Sequence, residues 1–488
     1  MPYESQIPAE SLPAAVTRQP RQGVFGSLNP LRWRLQMSSV AAILLRGAIW
    51  NIGAFLFGQG LRFATNVILA RLLSPGLFGV MMIVTTFKMG IELISDIGPG
   101  QNIVSSTNAD NPKFYNTVFT FQAIRGGLLW LALSAATPFI AAVYKMPDLL
   151  WIIPISGAGS FIAGFTSPAR DFLRKWMRFR ALGILEIAVS GVSSLALIVL
   201  ALISPTVWSL VIGGVLATVF STTASYFLRA KLRLRLQIHR EFAPEILHFG
   251  KWIFLSSLAY FLSSYCDRLF FARAVPIGVF GVYGIARSIS DLIGILALRL
   301  GGNVLFPYVA SASTTSREAL RLRLASVRWR FIGVSALGVA VLATGSDLMI
   351  QVLYDRRYHE ATWLLPILVV GSWFTVLAVA NESALLGLGK PSYGALSNVV
   401  KLLFLFVGLP LSFAFDGLLG ATIVVALADV PKILTLQIGQ RRERISFARQ
   451  DAIATLAMIA LVIGWEGLRW SLGFGTSFDS LPPLLPAR

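Results

Sequence analysis

Apolar stretches of about twenty residues, separated by short polar connectors, run through almost the whole chain. Leu182 to Ile203 and Thr206 to Phe227 are apolar or small nearly throughout. Such runs cross a ~30 Å hydrocarbon core as helices at ~1.5 Å per residue. Barrel strands would be about 10 residues long and strictly alternating. The pattern predicts an all-α polytopic membrane protein with spans near 48–70, 77–97, 115–143, 149–167, 181–204, 206–228, 250–274, 277–298, 328–352, 363–387, 394–415, 417–439 and 452–470.

Composition agrees: 55% of the 488 residues are hydrophobic and 13% charged, against roughly 25% charged in an average soluble domain. Disorder is excluded by the same numbers, and a disulfide scaffold by the lone Cys266. The first 40 residues carry Arg18, Arg21, Arg32 and Arg34 with no apolar core suited to a secretory signal, so this end is expected in the cytoplasm. With that start, 28 of the 42 Lys and Arg fall on the cytoplasmic side, 7 on the other and 7 inside spans. This is the asymmetry that orients membrane proteins. The basic residues flank membrane ends, where they meet anionic headgroups; they form no continuous stripe, so nucleic acid is not a partner.

At an offset of 202, Ala70–Val80 matches Ala272–Val282, sharing the Ala-Arg pair and the Phe-Gly-Val run; upstream, Trp50 is echoed by Trp252 at the same offset and Gly47 by Gly250 at an offset of 203. Read as a duplication, this predicts two pseudo-symmetric six-helix bundles related by an axis along the membrane normal, plus about one extra C-terminal helix. The expected organisation is a cytoplasmic tail (1–40), a first bundle (41–228), a basic linker (229–249), a second bundle (250–440), and an extra helix with an external tail (441–488).

The run Ala70-Arg71-Leu72-Leu73-Ser74-Pro75 followed by Phe78-Gly79, then Ser95-Asp96-Ile97-Gly98 with Gln101 beyond, resembles the polysaccharide transporter family. These are the Wzx-like oligosaccharide flippases of the multidrug/oligosaccharidyl-lipid/polysaccharide exporter superfamily. The likeness covers about residues 40 to 450. It implies twelve to fourteen helices, and movement of a polyprenyl-pyrophosphate-linked oligosaccharide, precursor of O-antigen, exopolysaccharide or another surface polysaccharide, across a bacterial inner (plasma) membrane by alternating access. Membrane lipids, a polysaccharide polymerase and its co-polymerase are the partners that go with this reading. Two departures stand out: Gly98-Pro99, which predicts a kink at the exit of the second helix, and a C-terminal end too short for a fourteenth helix.

An ionised side chain at a helix centre costs ~2.5–3.5 kcal/mol on insertion scales, so each must face protein, water or a partner. Lys88, Glu92 and Asp96 lie four apart on one face of the second span, and Arg287 and Asp291 repeat the arrangement in the eighth. Such pairs either neutralise one another between packed helices or line a cleft. Arg62 and Arg125 have no acidic residue three or four positions away. The expected substrate site is a cationic cleft of Arg62, Lys88, Arg125, Arg287 and Lys401, since guanidinium forks suit phosphate oxygens. Salt bridges between the bundles, with no ligand, are the other use of the same residues. Glu92, Asp96, Asp267 and Asp291 are candidates for proton or sodium coupling. Asn66 and Asn398 are among several amides suited either to sugar hydroxyls or to bridging helices.

Gly389-Lys390 has no glycine five residues before it and is followed by Pro391, so no phosphate loop is present and ATP is not the direct fuel. His239, His248 and His359 are dispersed, so no metal set and no cofactor is expected. A transporter rather than an enzyme is the reading. The alternatives are an ion-coupled exporter of drugs or metabolites on the same fold, which needs an acidic cleft, and a membrane polysaccharide polymerase or ligase, which needs large external loops. The longest external connector between spans is Asp355 to Thr362.

Overall fold

A computed structural model describes residues 50, 53–94, 103, 111–176, 179–228, 234–239, 241–311 and 316–482. All regular structure among them is helical: α1 (53–72), α2 (Pro75–Ile94), α3 (Pro112–Tyr144), α4 (Leu149–Gly164), α5 (Ala169–Lys175), α6 (Phe179–Ile203), α7 (Val207–Tyr226), α8 (Ala243–Ala274), α9 (Ile277–Leu300), α10 (Phe306–Ser311), α11 (Arg317–Leu353), α12 (Ala361–Gly387), α13 (Ser392–Leu427), α14 (Asp429–Arg442) and α15 (Ala448–Ser471). Nine of the helical stretches are long and apolar enough to cross a membrane, or ten if α4 and α5, bent by 56°, form one span. The protein is thus an all-α, multi-pass membrane protein. Pro75 and Pro112 open α2 and α3, where a missing N–H costs nothing. The side chains of Asn111 and Ser316 cap α3 and α11 by accepting the N–H groups of Lys113 and Ala319.

The longest apolar stretch folds back on itself. Asp416 and Gly417 leave helical backbone inside α13, Gly417 at φ 59°, a conformation that favours glycine. A Cβ on Gly408 would sit 2.9 Å from Val424, which a straight helix would hold ~24 Å away. The turn falls between the expected spans 394–415 and 417–439.

In the first half, α3 packs on α4, α4 on α7 and α7 on α6; in the second, α12 is surrounded by α9, α11, α13 and α14. Helix α2 belongs to the first half by sequence, yet its main partners are α9 and α8. It joins the halves. The connectors 165–168, 388–391 and 443–447 lie at one end, which we call the basic end because Arg170, Arg174, Arg441, Arg442 and Arg449 cluster there. Lys390 and Glu443 tie two of these connectors together at 3.4 Å.

The linker differs from expectation. Helix α8 begins at Ala243, so helix replaces the end of the expected 229–249 linker. Residues 234–239 lie extended along α3: Arg235 N donates to Asn116 Oδ1 (3.0 Å), Gln237 N to Thr120 Oγ1 (2.8 Å) and His239 N to Thr117 Oγ1 (3.1 Å). Polar side chains on α3 satisfy alternate N–H groups that a strand partner would otherwise take. The tail 1–40 and the Gly98-Pro99 position lie outside the described residues.

Two ion pairs fasten α15 to α11. Near the basic end Arg328, fully buried, donates to Asp451 (2.5 Å), Asn381 (2.8 Å) and Gln450 (3.0 Å); Asp451 also accepts from Asn381 (2.9 Å) and Gln437 (3.0 Å). Near the other end Arg469 forks onto Asp347 at 2.7 and 2.8 Å. The pairs are 19 residues apart on α11 and 18 apart on α15, ~28 Å in each case. Because the charges are opposite on the two helices at each level, only the parallel, in-register packing brings unlike charges together. Beyond α15, Ser477 is buried and bonded to Glu466 of that helix.

Candidate functional site

The repeated Phe-Gly-Val run makes the contact between the halves. Where α2 crosses α9, a Cβ on Gly281 would stand 1.8 Å from the Pro75 carbonyl oxygen, and a Cβ on Gly79 2.3 Å from that of Ile277. Pro75 and Ile277 are themselves 202 apart. Each run's glycine therefore faces the other run's carbonyl, as a two-fold contact requires. Hydrogen bonds surround this crossing. Arg71, at the end of α1, donates to the last carbonyls of α11 at Leu353 (3.2 Å) and Val352 (3.3 Å). Arg357 donates to those of α1 at Ala70 (3.1 Å) and Arg71 (3.2 Å). Each guanidinium sits on the negative end of the other segment's helix. Tyr358, fully buried, donates to Leu73 O at 3.3 Å and packs edge-on against Phe78. A hydrogen bond from Arg357 holds the Asp355 carboxyl below the usual carboxylate range, which keeps this clasp charged through neutral pH.

From this seal a cleft of ≈ 370 Å³ opens between α1 and α2 on one side and α8 and α9 on the other. Asn66, Met81, Met82, Met89, Thr85 and Ser288 line it, and its charged residues are Arg268 and Asp291, which are bonded to each other. Arg268 also lies over the Tyr265 ring, 4.4 Å from its centroid.

A second cavity, of ≈ 350 Å³, belongs to the first half and lies toward the basic end. The bend between α4 and α5 turns Arg170 and Arg174 into it, opposite Arg125 from α3, with Gln122, Ser160, Glu92 and Asp171. Arg125 donates to the Glu92 carbonyl at 2.7 Å, and Ser160 to the Glu92 carboxylate at 2.6 Å. Arg170 and Arg174 read in the sequence as connector charges. The Thr-Ser-Pro at 166–168, which interrupts the helix just before them, is the signal that could have turned them inward.

The expected site residues divide between the halves. Lys88 and Glu92 do not pair, because packing of α2 on α4 separates them: Glu92 is held by Ser160, while a Cβ on Gly159 of α4 would sit 3.0 Å from the Lys88 ammonium. Lys88 is half-buried, and no ion pair to it is found among the described residues. Arg62 is exposed on α1, and Glu186 acts electrostatically on it, on Arg170 and on Arg299. Arg299, from α9, also covers the Phe55 ring of α1 at 4.1 Å.

Arg287 and Lys401 correct the expectation of a single cationic cleft. Arg287 contacts Asp267 (3.1 Å) and Asp291 (3.4 Å), and Lys401 contacts Asp429 (2.8 Å). Lys432 is likewise held by Glu382 at 2.9 Å. With Arg268, Arg328 and Arg469, six embedded cations of the second half meet the six carboxylates Asp267, Asp291, Asp347, Glu382, Asp429 and Asp451. Their charge is taken up locally. The physical reason is burial: a cation out of water is stable only with a partner in contact. Among the coupling candidates, Asp267 is 2% exposed and bonded by Tyr283 at 2.5 Å, Asp291 lines the central cleft, Glu92 lines the first-half cavity, and Asp96 lies outside the described residues.

A protein-family model described as polysaccharide biosynthesis protein matches residues 68–362, more than half of the chain. The lipopolysaccharide biosynthesis protein WzxC of Escherichia coli (strain K12) is 20% identical over 390 residues, which is 79% of this chain and 78% of that protein. The teichuronic acid biosynthesis protein TuaB of Bacillus subtilis (strain 168) is 21% identical over 300 residues, 61% of this chain and 62% of that protein. Among solved structures, the lipid II flippase MurJ in an inward closed conformation superposes with a TM-score of 0.66 at 13% identity, covering 86% of this chain and 92% of that one. An inward-facing multidrug resistance MATE family transporter gives a TM-score of 0.57 at 16% identity, covering 83% and 95%. These two similarities speak for the fold.

Proposed function

This chain belongs to the polysaccharide biosynthesis protein family, and from that premise we propose that it carries a lipid-pyrophosphate-linked oligosaccharide across the membrane by alternating access of its two halves. The basic end faces the cytoplasm, as the excess of Lys and Arg in that side's connectors supports. The observation that carries the reading is the placement of charge among the described residues: carboxylates match the embedded cations of the second half one for one, whereas in the first half Arg125, Arg170 and Arg174 line one cavity with Glu92 and Asp171. A pyrophosphate entering from the basic end meets the guanidinium groups of the first-half cavity, and sugar hydroxyls meet Asn66, Thr85 and Ser288 in the central cleft. Arg287 and Lys401 lie in the second half, where Asp267 and Asp429 take up their charge. An acidic, cation-binding cleft, which a drug exporter needs, is not favoured by this arrangement. No chemistry on the substrate is required, and a polysaccharide polymerase with its co-polymerase receives the product on the far side.

Arg62→Ala and Arg125→Ala variants should each lose export at normal protein level, with lipid-linked precursor accumulating in the cytoplasmic leaflet. Full transport by both variants would overturn the proposal. Energy input is assigned to Asp291, the candidate carboxylate that lines the cleft between the halves and can exchange Arg268 for a proton or a sodium ion as the cleft opens. In proteoliposomes, transport by the parent protein should accelerate under an imposed pH or sodium gradient and that by Asp291→Asn should not. An equal response from both proteins rules out this residue.

A further inference from the structure

At the basic end the N-terminal parts of α11 and α15 enclose a groove of ≈ 570 Å³ lined by Arg321, Leu322, Trp329, Phe447, Arg449 and Ile453. Both arginines are exposed, and no ion pair to either is found among the described residues. Trp329 is 46% exposed and Ile453 also 46%. The walls are fixed: Arg328 and Asp451 join the helices directly behind the groove, and Gln450, next to Arg449, donates to the Ala325 carbonyl at 3.0 Å.

The two ion pairs between these helices give the depth. Their ~28 Å separation matches a ~30 Å hydrocarbon core, so Arg328 and Asp451 mark the edge of that core. Arg321 stands seven residues before Arg328 and Arg449 two before Asp451, which puts both guanidinium groups at headgroup level. Trp329 sits at the boundary, where indole rings concentrate, and Ile453 lies on the hydrocarbon side.

We propose that this groove is a binding site for an anionic glycerophospholipid, with the headgroup phosphate between Arg321 and Arg449 and an acyl chain over Trp329 and Ile453. Charge complementarity selects the occupant. Two guanidinium groups to which no carboxylate is paired among the described residues welcome a net negative headgroup, whereas a choline headgroup would add a third cation. The site lies outside both cavities described above and concerns the membrane's own lipid rather than the cargo.

The test is native mass spectrometry of the delipidated full-length protein, titrated separately with phosphatidylglycerol, phosphatidylcholine, inorganic phosphate and undecaprenyl phosphate. Phosphatidylglycerol should bind the parent protein most tightly. The Arg321→Gln/Arg449→Gln variant should bind it about thirtyfold more weakly, equivalent to about 2 kcal/mol at about 1 kcal/mol per arginine. An Arg321→Lys/Arg449→Lys variant, which keeps the charge, should stay near the parent. If the double glutamine variant does not fold, each single glutamine variant should lose about fivefold. Equal affinity for phosphatidylcholine, unchanged phosphatidylglycerol binding in the glutamine variants, or binding of inorganic phosphate as tightly as the lipid would each overturn the proposal. So would a preference for undecaprenyl phosphate, which would assign the groove to the transported carrier.

Discussion

Gly281→Val should abolish transport while leaving the protein inserted at parental level. A Cβ at this position would overlap the Pro75 carbonyl at 1.8 Å, and a backbone atom of a helix start cannot swing aside as a flexible side chain can. Helices α2 and α9 must therefore separate. The bonds around the crossing, from Arg71, Arg357 and Tyr358, are lost with the separation, and the molecule cannot close on the side away from the basic end. Gly79→Val acts from the other partner and should give the same result. Gly278→Val is the control: it lies one turn away in the same helix, its Cβ meets nothing within 4 Å, and transport should stay near the parent. In a Cys266→Ser background, a cysteine at position 358 should be shielded from a membrane-impermeant alkylating reagent in the parent and labelled in Gly281→Val. Transport within twofold of the parent by both valine variants would mean that the crossing is not part of the cycle.

Asp451→Ala carries the second large effect. It leaves Arg328, which has no exposed surface, without its counter-charge, and deprives Asn381 and Gln437 of an acceptor. Removing one partner of a buried ion pair costs about 3–5 kcal/mol, enough to lower the amount of folded protein severely. The diagnostic is the double replacement Arg328→Met with Asp451→Leu, which removes both charges together and should recover at least half of the lost thermal stability. An Asp451→Ala variant that melts with the parent, or a double variant no better than the single, would show that the pair does not hold α15.

The positions of the helices were legible because crossing a bilayer demands long apolar runs, and even the turn at Asp416 and Gly417 fell where two such runs met. The identities of charge partners were not. Sequence spacing offers only neighbours on one helix, so Lys88 was read with Glu92, whereas the packing of α2 on α4 gives Glu92 to Ser160 instead. Arg328 and Asp451 are 123 residues apart, a pairing that no local pattern encodes, and the arginines around Arg328 disguised it as one more connector charge. The cationic residues of the first half were partly visible as Arg62, Lys88 and Arg125. Arg170 and Arg174 joined that group only through the bend between α4 and α5.

On the duplication read from the repeated run, the glycine crossing also constrains how the two copies drift apart. Residues that pack only within their own copy can be exchanged one at a time, with nearby compensation. Gly79 and Gly281 cannot, because each is fitted to main-chain atoms contributed by the other copy, and no side-chain replacement nearby makes room for a methyl group. A mutation in either half is therefore felt at once by both, and this short segment should keep its ancestral likeness long after the rest of the two halves has diverged.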